Sequence, residues 1–296
     1  MTLSYLLQKW SGIDQDAKIR IITDEAQKPI AEAIQNEHIY PVDIALYSDC
    51  TPDFSGLKEL GSHDLAIILL SMDTYMTCGA NRYFSAFNKP DWLAARYIFV
   101  RLGISLSSLL QGLSTAKTLI QTKMEDMRCL DTEKAVTVTS ECGTDISFRI
   151  KPFTTCSHEI TCPGGMAFLP PSEISAEILT ETANGTIAVD MTVGQLYHYN
   201  ELIEYFGLVQ KPVMLTVKNG LITEITGHEL LREKLFSLPA DCRKLVELGQ
   251  GLSCMEPTGL IGVDESILAS CHFGFGEIWT CGTHLDFCIH TPHISQ

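Results

Sequence analysis

The sequence has 296 residues, of which 45% are hydrophobic and 19% charged, and these proportions exclude a disordered chain. Its formal net charge of −15 argues against a nucleic-acid partner, because contacts with phosphates require clustered Lys and Arg. No apolar run is long enough to span a bilayer and the N-terminus lacks a secretory signal pattern, so we expect a cytoplasmic protein without a membrane partner.

The first part of the chain alternates extended and helical patterns. The predicted strands cover residues 17–23, 39–47 and 64–71. The predicted helices cover residues 24–36, 92–102 and 106–127. Strands that alternate with helices in this way predict a doubly wound, mostly parallel α/β domain over residues 1–130.

Beyond residue 130, β-branched residues alternate with other residues and turn signals are frequent. The predicted strands cover residues 135–139, 145–150, 185–190, 213–217 and 221–225. The last two flank Asn219-Gly220, a pair that favours the positive φ angles of a type I′ hairpin turn. Residues 229–248 are predicted to be helical, with a break at Pro239. Residues 131–296 therefore form the second predicted domain, of the α+β class and rich in strands.

Candidate metal ligands concentrate towards the C-terminus. His284 and Asp286 are two residues apart on a predicted extended segment, so their side chains share one face. His272 lies in an apolar, glycine-rich stretch and Glu247 lies between apolar residues. A buried carboxylate requires a cation or hydrogen-bond donors, and one divalent cation would satisfy all four side chains. The alternative is a buried network of hydrogen bonds between Glu and His.

Seven short segments, taken in order, resemble the aminopeptidase T-like metalloproteins, a superfamily that includes the 2,5-dihydroxypyridine dioxygenases. The segments are residues 136–145, 163–170, 183–187, 247–252, 264–265, 272–276 and 282–286. The resemblance implies a metal site in the second domain. It also implies a homodimer, by analogy with the superfamily.

The resemblance assigns ligands one position at a time. The peptidases hold two metals with five protein ligands, and four of those positions are Glu247, His272, His284 and Asp286 in this chain. The fifth, a Glu, is Met166 here, and a thioether is a poor ligand for a hard cation. The dioxygenases also lack that Glu and bind one iron through two histidines and an Asp, although one of those histidines corresponds to Glu247 here. We therefore expect one divalent ion, with Fe(II) preferred and Zn(II) or Mn(II) as alternatives.

Three functions follow from this site. The first is a mononuclear non-haem Fe(II) oxygenase that acts on a small aromatic or peptide-like substrate, with His272 and Glu265 as candidate catalytic acid–base residues. The second is a metallo-aminopeptidase or related hydrolase, in which the metal activates water. The third is a non-catalytic peptide-binding protein built on an aminopeptidase-like scaffold.

Overall fold

The structure is a computed structural model, and it describes residues 3–13, 16–37, 41–47, 57, 59–74, 95–155, 165–199 and 201–296. The chain forms two compact units. The first comprises residues 1–115 and 156–171, and the second comprises residues 116–155 and 172–296. The predicted domain boundary between residues 130 and 131 stays a prediction.

The first unit contains a five-stranded sheet with all its neighbouring strands parallel, in the order β2-β1-β3-β4-β8. Its strands are β1 (Ile19–Asp24), β2 (Val42–Tyr47), β3 (Leu65–Leu69), β4 (Arg96–Val100) and β8 (Met166–Leu169). Its helices are α1 (Leu3–Ser11), α2 (Lys28–Glu37) and α3 (Leu106–Leu113). Every residue of β3 is buried, as expected for a parallel strand that is covered on both faces.

Two helical predictions in this region require correction. The predicted helix at 92–102 begins outside the described residues, and its described part contains strand β4. Four consecutive buried residues, Tyr97–Val100, suit a central strand, and periodicity alone does not distinguish so short an apolar run from a helix. The predicted helix at 106–127 is two helices, α3 and α4 (Lys117–Arg128), because the chain leaves the helical path at Ala116, which caps α4 in an extended conformation.

The second unit contains two antiparallel sheets, which confirms the predicted α+β class. The six-stranded sheet has the order β14-β13-β10-β6-β5-β18, and the seven-stranded sheet has the order β12-β11-β17-β16-β15-β9-β7. The strands of the first are β5 (Val136–Thr139), β6 (Asp145–Phe148), β10 (Asn184–Val189), β13 (Val213–Lys218), β14 (Leu221–Thr226) and β18 (His293–Ser295). Those of the second are β7 (Thr154–Thr155), β9 (Glu173–Glu177), β11 (Thr192–His198), β12 (Glu201–Leu208), β15 (Leu245–Gly251), β16 (Ser270–Phe275) and β17 (Leu285–His290).

Short helices connect these strands. Besides α4 they are α5 (Glu229–Phe236), α6 (Ile261–Asp264) and α7 (Ile278–Cys281), with 3₁₀ turns at Thr180–Thr182 and Ala240–Arg243. The prediction that residues 229–248 are helical is therefore wrong at its end, because Glu247 lies on β15. The helix ends at Phe236, Pro239 precedes the 3₁₀ turn at Ala240–Arg243, and the backbone from Leu245 onwards pairs with β16 and β9. Within the described ranges, no helix has the length and apolar character needed to cross a membrane.

The predicted hairpin at residues 213–225 is confirmed. Strands β13 and β14 pair antiparallel around Asn219 and Gly220, which have φ angles of 48° and 76°. A Cβ added at Gly220 would lie 2.1 Å from the carbonyl oxygen of Thr180. The turn therefore requires glycine for two reasons, its positive φ angle and the close approach of a neighbouring backbone.

We expect Gly220→Ala to lower the free energy of unfolding by about 1–3 kcal/mol, because the new methyl group adds steric overlap to an unfavourable φ angle. Urea unfolding followed by circular dichroism measures this. The control is Asn219→Gly, which relieves a positive φ angle and should change stability by less than about 1 kcal/mol. Equal effects of the two substitutions would contradict this account of the turn.

Candidate metal centre

The polar face of the seven-stranded sheet brings together residues that are far apart in sequence. In the register of β15, β16 and β17, Glu247 lies opposite Gly274, and Gly274 lies opposite Asp286. One row further along, Gly249 lies opposite His272. Residues directly opposite each other in antiparallel strands project to the same face, so these positions form one polar surface.

A register shift in β15 turns Glu247 towards this surface. Leu245 pairs with Phe275, whereas Glu247 pairs with Gly274, so Val246 is an additional residue between the two pairs. Without the shift, Glu247 would share the apolar face of Leu245, since alternate residues of a regular strand point the same way. Bulges of this kind redirect side chains and are frequent beside functional sites.

Two glycines leave space for the two imidazole rings. A Cβ at Gly249 would lie 1.9 Å from Cε1 of His272. A Cβ at Gly274 would lie 2.8 Å from Cε1 of His284 and 2.9 Å from Cβ of Glu247. Any larger residue at either position would displace a side chain of the polar face.

The first group on this face consists of Glu247, His284 and Asp286, each of which offers one ligand atom, all within 4.8 Å of one another. Nε2 of His284 lies 3.3 Å from Oε2 of Glu247 and 3.1 Å from Oδ1 of Asp286. Nδ1 of His284 lies 2.9 Å from the carbonyl oxygen of Gly276. A carbonyl oxygen only accepts, so Nδ1 carries the proton and Nε2 faces the two carboxylates.

This arrangement requires a positive charge at Nε2. A neutral imidazole would direct its lone pair at two carboxylate oxygens, and only a proton or a metal ion relieves that repulsion. Burial disfavours the charged imidazole of His284, yet Asp286 and Glu247 outweigh burial and raise its pKa well above the usual value. Burial opposes ionisation of Glu247, but the nearby imidazoles hold its pKa at about 2.

Oδ1 of Asp286 provides a further test of whether a metal fits. This atom is buried, and no hydrogen-bond donor reaches it with acceptable geometry from the described residues. Buried carboxylate oxygens nearly always have a hydrogen-bond partner or a cation. One imidazole nitrogen, two carboxylates and an oxygen without a donor together form a set that fits a divalent cation.

His272 and Glu265 lie in a second group, with Glu173. Each offers a ligand atom within 4.8 Å of the others, and Nε2 of His272 lies 3.0 Å from Oε2 of Glu173. Only 2% of His272 is exposed. Burial lowers the pKa of His272, but Glu173, Asp286 and Glu265 outweigh that effect and raise the pKa to about 10. The structure thus brings three of the four predicted ligands together and places His272 beside a different carboxylate.

Glu173 was not identified from the sequence. It begins β9 and lies opposite Gly251 of β15. The burial pattern of β9 alternates, with Ile174 and Ala176 buried, so Glu173 belongs to the less buried side. That alternation was visible in the sequence, but the adjacent Pro170-Pro171 pair favoured a loop. Met166, which replaces the fifth ligand of the peptidases, lies on β8 of the first unit and is 40% exposed.

A cavity of about 660 Å³ opens beside the first group, and Glu247 and His284 are among its lining residues. The remaining lining residues come from β7, from β9 and the residue after it, from the two 3₁₀ turns, from the start of β15, and from the segment 276–280 that contains α7. Pockets of this size accommodate small molecules or short peptide segments.

Comparisons with known proteins agree with this architecture. The family 2,5-dihydroxypyridine 5,6-dioxygenase matches residues 102–237. The structure of 2,5-dihydroxypyridine dioxygenase from Pseudomonas putida KT2440 has a TM-score of 0.59 at 14% identity, covering 99% of this chain and 91% of that chain. Wild-type AmpT from Thermus thermophilus has a TM-score of 0.56 at 12% identity, covering 99% and 94%. Comparison with curated protein sequences finds no match.

The chain shares the fold of this superfamily. The resemblance seen in the seven sequence segments is thereby confirmed. The matched family consists of enzymes, so the prediction of an enzyme is confirmed at the level of that family. The family match ends at residue 237, before Glu247, His284 and Asp286, and the roles of these residues therefore rest on the geometry of this chain.

We expect Gly249→Ala to displace the ring of His272 and to cost about 1–3 kcal/mol of stability, because the added methyl group overlaps the ring. Chemical denaturation gives the stability, and the imidazole resonances of the histidines report the displacement. Gly262→Ala is the matched control, since a Cβ there meets nothing within 4 Å. An unshifted His272 resonance in Gly249→Ala would contradict this packing.

The stability of the metal-free protein should depend on pH through His272. Its pKa is about 10 in the folded chain against an ordinary value of 6.5, so its contribution is complete below pH 6.5 and is lost as the pH rises through about 10. We therefore expect the free energy of unfolding to fall over this interval. The pKa of His284 is raised as well, so both histidines contribute to this pH dependence. The variant His272→Gln removes the contribution of His272 and should make the free energy of unfolding depend less steeply on pH. Identical slopes for both proteins would refute the assignment.

Proposed function

We propose that Glu247, His284 and Asp286 hold one divalent metal ion in a mononuclear enzyme site. The observation that carries this proposal is the convergence of two carboxylates on Nε2 of His284, at 3.3 and 3.1 Å. Oδ1 of Asp286 is buried and forms no hydrogen bond of acceptable geometry with the described residues, although Nε2 of His284 lies 3.1 Å away, and a metal ion between them would satisfy it. A metal ion would replace the proton that Nε2 otherwise holds.

The donor set favours Fe(II), with Mn(II) or Zn(II) as alternatives. One imidazole and two carboxylates form a borderline-to-hard site that leaves coordination positions for a substrate. Cys288 lies opposite His272 on β17, but burial raises the pKa of its thiol well above the usual value. A protonated thiol is not a soft metal ligand. The match to 2,5-dihydroxypyridine 5,6-dioxygenase favours a redox-active metal such as Fe(II), because zinc has no redox chemistry with which to activate O₂.

The function that this site supports best is a non-haem Fe(II) oxygenase acting on a small aromatic or peptide-like substrate. When bound, Fe(II) would supply the chemistry that activates O₂. Glu247 and His284 line the cavity and would orient the substrate at the site. Nε2 of the buried His272 lies 3.0 Å from Oε2 of Glu173, and this carboxylate raises the pKa of the imidazole. His272, with Glu265 beside it, is therefore the acid–base candidate of this site.

A hydrolase is the second candidate function, and the fold similarity to AmpT favours it. Glu173 and Glu265 place two carboxylates beside His272, so this region retains acidic groups although Met166 replaces the fifth peptidase ligand. In this case Glu247, His284 and Asp286 would hold a metal that supplies the activation of water, and the carboxylates beside His272 would be the candidate proton acceptors. The homodimer and the cytoplasmic location stay predictions from the sequence.

We expect protein purified without oxygen to contain close to one equivalent of metal, and Glu247→Gln or His284→Ala to lower the metal content about tenfold or more. Elemental analysis measures the content, and thermal unfolding with and without added Fe(II) measures stabilisation. His293→Ala is the matched control, because His293 is an exposed histidine of the same C-terminal segment. Unchanged metal content in both ligand variants would contradict the site.

The reaction class is tested separately. Oxygen uptake on addition of Fe(II) and 2,5-dihydroxypyridine, or of related hydroxylated aromatic compounds, supports the oxygenase. Turnover of aminoacyl fluorogenic substrates with Zn²⁺, Co²⁺ or Mn²⁺ but no oxygen uptake supports the hydrolase. A metal-free protein that remains equally stable after His284→Ala favours the non-catalytic peptide-binding alternative.

A further inference from the structure

One wall of the cavity carries an exposed tryptophan. Trp279 lies on α7 with 85% of its surface exposed, and its neighbour Ile278 is 44% exposed. Both residues line the same cavity as Glu247 and His284. Covering a large apolar surface with a ligand removes it from water and so contributes favourably to the free energy of binding. The indole also offers a flat face on which a planar group can stack. This wall is therefore suited to the non-reacting part of a substrate.

The segment that carries Trp279 is fixed to the candidate metal ligand. The carbonyl oxygen of Gly276, just before α7, accepts the hydrogen bond from Nδ1 of His284. After α7, the carbonyl oxygen of Gly282 accepts a hydrogen bond of 2.8 Å from the amide of Tyr199. Both ends of the segment are thus attached, so the backbone that carries Trp279 has a fixed place beside the cavity.

Glu277 lies on this wall, and the lysine that lines the same cavity, Lys244, is paired with Asp241. The cavity carboxylates Asp241 and Glu177 each have a lysine partner, at 2.7 and 2.5 Å. Glu277 accepts a hydrogen bond of 3.1 Å from the hydroxyl of Thr280 and forms no ion pair with any described lysine or arginine. Glu277 is exposed, and it caps the N-terminus of α7 two residues before Trp279. The carboxylate of Glu277 therefore carries a charge that no described lysine or arginine neutralises, on the same short segment as the indole.

We propose that Trp279 and Glu277 are specificity-determining residues, which select substrates that carry both a planar ring and a positively charged group. The ring stacks on the indole, the cation faces the carboxylate of Glu277, and the reacting end of the substrate lies towards Glu247 and His284. The substrate class is thus an aromatic cation. This inference rests on the proposed function, because it takes the cavity as the substrate pocket of the metal site.

Three small probes separate the contribution of the ring from that of the charge. Benzyltrimethylammonium carries both and has no lone pair that could bind a metal, benzyl alcohol lacks the charge, and tetramethylammonium lacks the ring. We expect benzyltrimethylammonium to bind the metal-loaded protein at least about fivefold more tightly than either of the others, by isothermal titration calorimetry. Equal binding of all three, or no binding of benzyltrimethylammonium, overturns the proposal.

Substitutions assign the effect to the two residues. Trp279→Ala should weaken binding of benzyltrimethylammonium about fivefold or more, and Trp279→Phe should restore most of it, since a phenyl ring still stacks. Glu277→Gln should weaken binding of benzyltrimethylammonium and leave that of benzyl alcohol unchanged. The controls are Tyr5→Ala and Glu224→Gln, an exposed aromatic residue and an exposed carboxylate that do not line the cavity. If the control variants lose as much affinity for benzyltrimethylammonium, the assignment of this binding to Trp279 and Glu277 is overturned.

The same probes distinguish this inference from the metal assignment. If His284→Ala loses the metal and still binds benzyltrimethylammonium in a manner that depends on Trp279, the recognition wall is supported independently of the metal. If the wild-type protein contains no metal but its binding of benzyltrimethylammonium still depends on Trp279, the proposed function fails and the recognition of aromatic cations stands. If the metal is present and Trp279→Ala binds the probe like the wild type, the recognition wall fails alone.

Discussion

The approach of two carboxylates to one imidazole nitrogen is the constraint on which the rest of the site depends. Nε2 of His284 faces Glu247 and Asp286 because Nδ1 is engaged by the carbonyl oxygen of Gly276. Such an arrangement persists in a folded chain only when a positive charge lies between the three groups. The register of β15, β16 and β17, the bulge before Glu247, and Gly274 all serve to bring these side chains together.

Much of this site was predictable from local patterns, and the rest depended on strand pairing. The spacing of His284 and Asp286 on an extended segment correctly predicted a shared face, because strand periodicity is local information. The apolar neighbours of Glu247 predict a buried carboxylate that could bind a metal, but the sequence pattern around it predicts a helix. The bulge at Val246 that directs it inwards arises only from pairing with β16. Glu173 was missed because its proximity to His272 is created by three neighbouring strands.

The fold showed the same division between local and long-range information. The Asn219-Gly220 turn was predicted correctly because its backbone angles are encoded by two residues. The sequence predicts a helix at strand β4, because a run of five apolar or amphipathic residues fits both the helical and the strand periodicity. The chain forms a strand there because the segment is buried between β3 and β8. The similarity to a dioxygenase and to AmpT was visible in short ordered segments, whereas the separation of His272 from the His284 group required the full register of the sheet.

The glycines of the polar face imply a trade-off between activity and stability within this sheet. Glycine is a poor strand former, and Gly249 and Gly274 occupy central strands, where side chains would otherwise add cross-strand packing. The opposite face compensates with aromatic contacts, such as the edge-to-face pair of Phe275 and Phe287 at 5.4 Å. The two faces therefore differ in what they contribute, because one leaves space for the imidazole rings and the other packs aromatic rings together. Stabilising changes to this sheet should come from the aromatic face, where added packing does not crowd the imidazoles.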